Sequence, residues 1–145
     1  MTDQKEVQKK LVMYQVLDGR IKSLSQRRDL LLTKMIEIEN TLNSMDEIKK
    51  SKEEEIFLSL GSNVHVPGSL KKTGKMIIEL GSNIAIECTL ERAKEILNKR
   101  KSVLEGGLKT VEEELIKLSN ELSRLEPEIQ ALLQESRTSS KPETG

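Results

Sequence analysis

From Val7 to Met45 the apolar residues fall on a seven-residue grid, with Val7, Tyr14, Ile21, Met35 and Leu42 at one seam position and Leu17, Leu24, Leu31, Ile38 and Met45 at the other. Lys10 and Arg28 are the two breaks among twelve grid positions. A pattern held for more than five heptads specifies a coiled-coil strand rather than an ordinary surface helix. Asp3 followed by Glu6 offers an N-terminal cap.

A second grid runs from Leu90 to Leu132, with Leu97, Leu104, Val111, Leu118 and Leu125 in one row and Leu108, Leu115, Leu122 and Ile129 in the other. Only Lys94 and Lys101 break it. Ala93, Ile96 and Val103 add a second stripe near its start, so this end is expected to lean on something besides a partner helix. Gly106-Gly107 and Pro127 lie inside the grid, which continues through both, and predict a soft spot and a kink rather than helix ends. Each grid occupies roughly 45 residues, about 65 Å of helix. Equal arms joined by a compact insert fold back most simply as an antiparallel pair. The competing arrangement has each helix pair with another chain.

The composition suits this economy. The chain has 145 residues, 24 basic and 24 acidic, and only 35% are hydrophobic; Tyr14 and Phe57 are its aromatics. One unit that buries stripes, not a large core, is implied. The single cysteine, Cys88, leaves no internal disulfide and fits a reducing compartment. No apolar run reaches the length of a membrane span and the N-terminus lacks a signal's hydrophobic region, so the chain is read as cytoplasmic, with no membrane partner.

Between the grids one phrase occurs twice: LSLGSNVHV at 58–66 and IELGSNIAI at 78–86. Apolar residues alternate through Ile56, Leu58 and Leu60, then Val64 and Val66, then Met76, Ile78 and Leu80, then Ile84, Ile86 and Cys88. Period two marks strands with one apolar face. The other face carries Ser59, His65, Glu79 and Glu87, with Phe57, Ile77 and Ala85 among them, and is only partly polar. Gly61-Ser62 and Gly81-Ser82 stand where a tight turn needs positive φ. Two β-hairpins follow, joined by the loop from Pro67-Gly68 to Gly74. Only the roots of the arms are free to cover their inner faces, so exposed edges and apolar faces invite neighbouring chains. The expected assembly residues are Ile56, Leu58, Leu60, Val64, Val66, Met76, Ile78, Leu80, Ile84 and Ile86.

These residues resemble the α-class subunits of prefoldin, an archaeal and eukaryotic co-chaperone family. The resemblance covers nearly the whole chain as architecture, and its specific part is LGSNVHVPG at 60–68, IIELGSN at 77–83, and IAIE at 84–87 followed by LERA at 90–93. Two hairpins are similar to the α class, whereas the β class has one. His65 stands where the family usually carries an aromatic, and Asn63 and Asn83 replace a commoner small residue. The resemblance implies a hexamer of two α and four β subunits, with each α hairpin entering a different barrel.

Catalytic chemistry finds little support. His65 and Cys88 lie on opposite strand faces, so neither a metal cluster nor a nucleophile pair is expected. GSLKKTGK, residues 68–75, has five residues between its glycines and leads into a strand, against the phosphate-loop pattern; Lys71, Lys72 and Lys75 are read as solvating a loop. Zero net charge and few aromatics weigh against nucleic-acid binding. No cofactor and no enzymatic activity are expected.

Leu11, Val12, Met13 and Val16 fall outside the first seam, and Leu133 outside the second. Either they pack a third helix or another arm, or they form a surface for unfolded chains, which a flexible methionine among small aliphatics suits. The client-binding tip is accordingly expected at Val7, Leu11, Val12, Met13, Val16, Leu132 and Leu133. The resemblance implies delivery of such clients to a group II chaperonin. The whole reading is an α+β chain: a long antiparallel two-helix coiled coil (1–50 and 89–134) with two inserted hairpins (51–88) and a disordered tail (135–145). Its function is that of an ATP-independent holdase, or alternatively a prefoldin-like filament or scaffold built through the hairpins.

Overall fold

The computed structural model describes residues 2–52 and 54–139, with side chains from residue 4 to residue 137 apart from residue 53. The elements run α1 (Thr2–Lys50), β1 (Glu55–Gly61), β2 (Val64–Ser69), β3 (Lys75–Gly81), β4 (Ile84–Thr89) and α2 (Leu90–Ser139). The chain divides into two compact units, one holding the residues up to Thr33 with those from Gly106 onward, the other Lys34–Glu105.

In the first unit the two helices run antiparallel. Lys10 Nζ donates to Glu128 Oε2 at 3.1 Å, Tyr14 Oη donates to Glu126 Oε1 at 3.2 Å, and Arg20 donates from Nε to Glu114 Oε1 at 3.0 Å. Val7, Val111, Leu115, Leu118, Leu125 and Ile129 are buried along this seam. The grid positions of α1 from Tyr14 to Leu31 are half-buried, as expected where one helix covers each stripe from a single side. Gly107 backs onto Leu31, whose Cδ1 lies 3.8 Å from where a Cβ would stand.

The second unit holds the roots of both helices and the hairpins. Lys101 Nζ donates to Glu39 Oε2 at 2.8 Å, and Lys94 Nζ donates to Asp46 Oδ1. The two lysines that break the second grid thus reach across to acids on α1, keeping their ammonium groups at the wet edge while their stems lie along the seam. The hydrogen bond from Lys94 holds the Asp46 carboxyl below the ordinary carboxylate range, against an opposing effect of partial desolvation. The hydrogen bond to Glu39 likewise raises Lys101 above the ordinary lysine range.

Each hairpin is a separate two-stranded antiparallel sheet. Leu58 pairs with Val66 in the first, and Ile78 with Ile86 in the second. The positive φ expected at Gly61-Ser62 and Gly81-Ser82 is found, and it extends to Asn63 and Asn83. Ser62-Asn63 and Ser82-Asn83 occupy the two central positions, all at positive φ, as the type I′ hairpin turn requires. Gly61 and Gly81 precede them at φ 98° and 105°, and the ladder slips by one residue between Ser59 and Gly61 and between Glu79 and Gly81. Leu60 and Leu80 are the extra residues of these bulges, so the strict alternation expected through them ends at Leu58 and Ile78.

The core of this unit is built on the second hairpin alone. Ile78 is buried with Met45, Leu90, Ala93 and Leu97, and Ile38, Leu42, Met76, Cys88 and Ile96 pack around them. Ala93 and Ile96 of the second stripe of α2 therefore meet β3 and β4. Arg100 donates to the carbonyl of Glu79, fixing the far end of β3 to the same helix. Thr89 caps α2, its Oγ1 accepting from the Arg92 amide at 3.1 Å.

Two expectations about the ends need adjustment, and a third lies partly outside the described residues. Helix α1 starts at Thr2, so Asp3 lies inside it rather than ahead of it, and its side chain is outside the described residues. Helix α2 passes through Gly106-Gly107 and Pro127 and continues to Ser139, five residues beyond the expected end. The remainder of the anticipated tail, 140–145, lies outside the described residues.

Candidate functional site

Of the residues expected at the tip, Leu11, Val12, Met13, Val16 and Leu133 are exposed, Val12 and Val16 at 58% and 64%. Val7 is buried in the seam, which removes it from the accessible surface, and Leu132 is half-buried. Val12 and Met13 line an open groove of about 590 Å³ with Lys5, Gln8 and Lys9. Leu133 lies in a smaller hollow of about 180 Å³ with Gln130, Gln134 and Arg137. Both surfaces belong to the first unit, and both set aliphatic groups among long polar side chains.

The hairpins present a second set of apolar groups. Leu58, Leu60, Val64, Val66, Leu80, Ile84 and Ile86 are exposed, and Ile56 and Met76 are half-buried. Ile78 departs from this list, since the chain's own core covers it. The opposite faces are more open still: Phe57 and Ile77, at matching places in the repeat, are 77% and 78% exposed. The backbone edges of both two-stranded sheets are free of further strands among the described residues.

Sequence reasoning passed over Ile36, Leu30 and Ile116, which are exposed on the helices away from either seam. Their off-grid positions were the available signal. Val103, noted for its stripe, stays outside the hairpin-covered core and lines an open groove of about 620 Å³ with Ile96, Lys99 and Arg100.

His65 is exposed opposite Ser59, whereas Cys88 is half-buried opposite Met76, so the two do not converge. Among the described residues no group of three or more histidine, cysteine, aspartate or glutamate side chains is placed to hold a metal ion. Among them, too, no helix is long and apolar enough to cross a membrane.

A family model described as "Prefoldin subunit" matches residues 17–135, from the first arm through both hairpins to the second arm. The chain belongs to the prefoldin family. Prefoldin subunit alpha of Pyrococcus horikoshii is 28% identical over 131 residues, covering 87% of this chain and 88% of the relative. The corresponding subunit of Thermofilum pendens is 32% identical over 92 residues, covering 63% and 71% respectively. Among solved structures, a filamentous prefoldin from Methanocaldococcus jannaschii superposes with a TM-score of 0.68 at 18% identity, over 79% of this chain and 95% of that one. The prefoldin beta subunit from Thermococcus strain KS-1 gives 0.57 at 17% identity, over 87% and 90%. The structural neighbours establish the prefoldin fold of two long helices with β-hairpins between them, and the two relatives named are alpha subunits of this chaperone family.

Proposed function

We propose that this chain is the α-class subunit of an ATP-independent holdase, in which hairpins assemble the particle and arm ends bind unfolded polypeptide. The observation that carries this reading is the exposure of Leu11, Val12, Met13, Val16 and Leu133 near the chain ends, where the seam has no use for them. Small aliphatic groups and a flexible thioether adapt to many sequences. Each patch binds weakly, but several arms closing on one client multiply the effective affinity without a nucleotide. Val7 and Leu132 support the patch from inside the seam.

The partners follow from the hairpins. Exposed apolar faces and free edges on two separate sheets supply two places to join single-hairpin β-class subunits, in the ratio of two α to four β. Clients would then pass to a group II chaperonin. The test of assembly is native mass measurement of the chain alone and co-expressed with a β-class subunit. A closed hexamer formed only with the partner supports the holdase subunit. Open-ended species formed by the chain alone would favour the alternative, a filament or scaffold, for which the filamentous neighbour gives precedent.

A further inference from the structure

The inter-hairpin loop borders a half-open hollow. Lys49, Lys71, Lys72 and Lys75 surround a hollow of about 310 Å³ between the end of α1, the inter-hairpin loop and the start of α2. Leu70, Met76 and Leu90 form its apolar floor. Among the described residues the lining sets four cations against one carboxylate, Glu91, with Glu87 beside Lys75 outside it, a local excess in a chain whose formal charge is zero.

The lysines are weakly committed. Lys49 stands 3.7 Å from Glu91 and Lys75 3.8 Å from Glu87, long contacts between exposed side chains that contribute little. Lys72 donates to the Ser51 carbonyl and braces the loop against the end of α1. Among the described residues, Lys71 has no ion pair. The loop is held in place by backbone as well, with the Leu70 amide donating to Glu54 O at 2.6 Å and the Leu90 amide to Gly74 O at 3.3 Å. Stabilisation of the α1 C-terminus explains Lys49, and the Ser51 carbonyl takes up Lys72, but neither accounts for Lys71 and Lys75 lining the same space.

We propose that this cavity binds an acidic peptide segment in which one aliphatic side chain is flanked by carboxylates. Its volume lies at the small end of ligand pockets, so it takes a side chain or two rather than a nucleotide. The aliphatic group would enter over Leu70 and Met76 while the flanking carboxylates meet Lys71 and Lys75. A bare inorganic anion would leave the floor unused, and an apolar segment without charge would leave the rim unpaired. The site lies in the unit that carries the hairpins and does not depend on client binding at Val12 and Met13.

The test is fluorescence anisotropy with a labelled pentapeptide carrying one leucine between pairs of glutamates, titrated with the full chain alone and with the particle assembled from it and its β-class partner. Replacing the leucine by serine, or introducing Lys71→Gln with Lys75→Gln, is expected to weaken binding about tenfold or more, and added salt to weaken it further. Lys71→Arg keeps the charge and is expected to retain binding, which separates loss of the site from loss of the fold. Equal binding of the serine peptide would reduce the site to a diffuse charged patch and overturn the proposal. Unchanged binding by the double variant, or none by the assembled particle, would overturn it as well.

Discussion

Lys94 on α2 donates a hydrogen bond to Asp46 on α1 at the very position where the heptad grid loses an apolar residue. A few residues along the same two helices, Lys101 and Glu39 repeat the arrangement at 2.8 Å. These pairs turn two defects of the seam into contacts that fix its register, the role best attested for polar groups in coiled coils.

Their pH dependence has opposite signs. The Asp46 carboxyl is held below its ordinary value, so its contribution is present above about pH 4 and lost as pH falls through the folded value. Lys101 is raised, so its contribution is present below about pH 10.5 and lost as pH rises through the folded value. In thermal melts, the advantage of the native chain over Asp46→Asn should be present at pH 7 and vanish at strongly acid pH. The advantage over Lys101→Gln should persist in mild acid and vanish at strongly alkaline pH. Differences that do not change with pH would contradict this account.

Ile78 and Leu58 hold the same place in the two copies of the repeat but face different surroundings. Ile78 is 8% exposed and touches the helix roots, whereas Leu58 is 51% exposed. Ile78→Ala should lower the stability of the isolated chain by about 2–4 kcal/mol through the cavity it leaves. Leu58→Ala should change it by under about 1 kcal/mol and instead weaken assembly with a β-class partner. Denaturant melts and native mass measured on both variants check the pair.

Two glycine substitutions should act in opposite directions. Gly106 sits inside α2 with nothing within 4 Å of an added Cβ, so Gly106→Ala should stabilise by about 0.5–1 kcal/mol through helix propensity. Gly81 is equally uncrowded but has φ 105°, and Gly81→Ala should destabilise the hairpin by about 1–3 kcal/mol from backbone strain alone. Melting temperatures moving apart would check both.

The helical arms were legible in the sequence because a seam is a one-dimensional pattern. All twelve grid positions of α1 and all thirteen of α2 are buried or half-buried, the charged breaks included. The partners of those breaks were not legible, because spacing along one helix says nothing about which acid on the other lies opposite. The hairpins were evident from alternation, and glycine, the stronger signal for positive φ, marks Gly61-Ser62 and Gly81-Ser82, which adopt it. Asparagine also tolerates that region, and Ser62-Asn63 takes the centre of the turn. The unequal burial of Ile78 and Leu58 was hidden by the repeat itself, because two similar strands differ only in what covers them. Thr89 immediately before an apolar helical pattern was a readable cap that sequence reasoning passed over. Sequence alone leaves Lys71, Lys72 and Lys75 as charge in water, because only the fold brings Lys49 to them.

Binding of unfolded polypeptide by the exposed aliphatic groups near the chain ends is open to direct test. The most direct measurement is light scattering from a heat-unfolding client, without nucleotide, in the presence of the assembly formed with its β-class partners. A parallel assembly carries Val12→Ser, Met13→Ser and Leu133→Ser. The native assembly should suppress aggregation, and the substituted one, at unchanged mass, should not. Absence of suppression by the native assembly, or equal suppression by both, would contradict it.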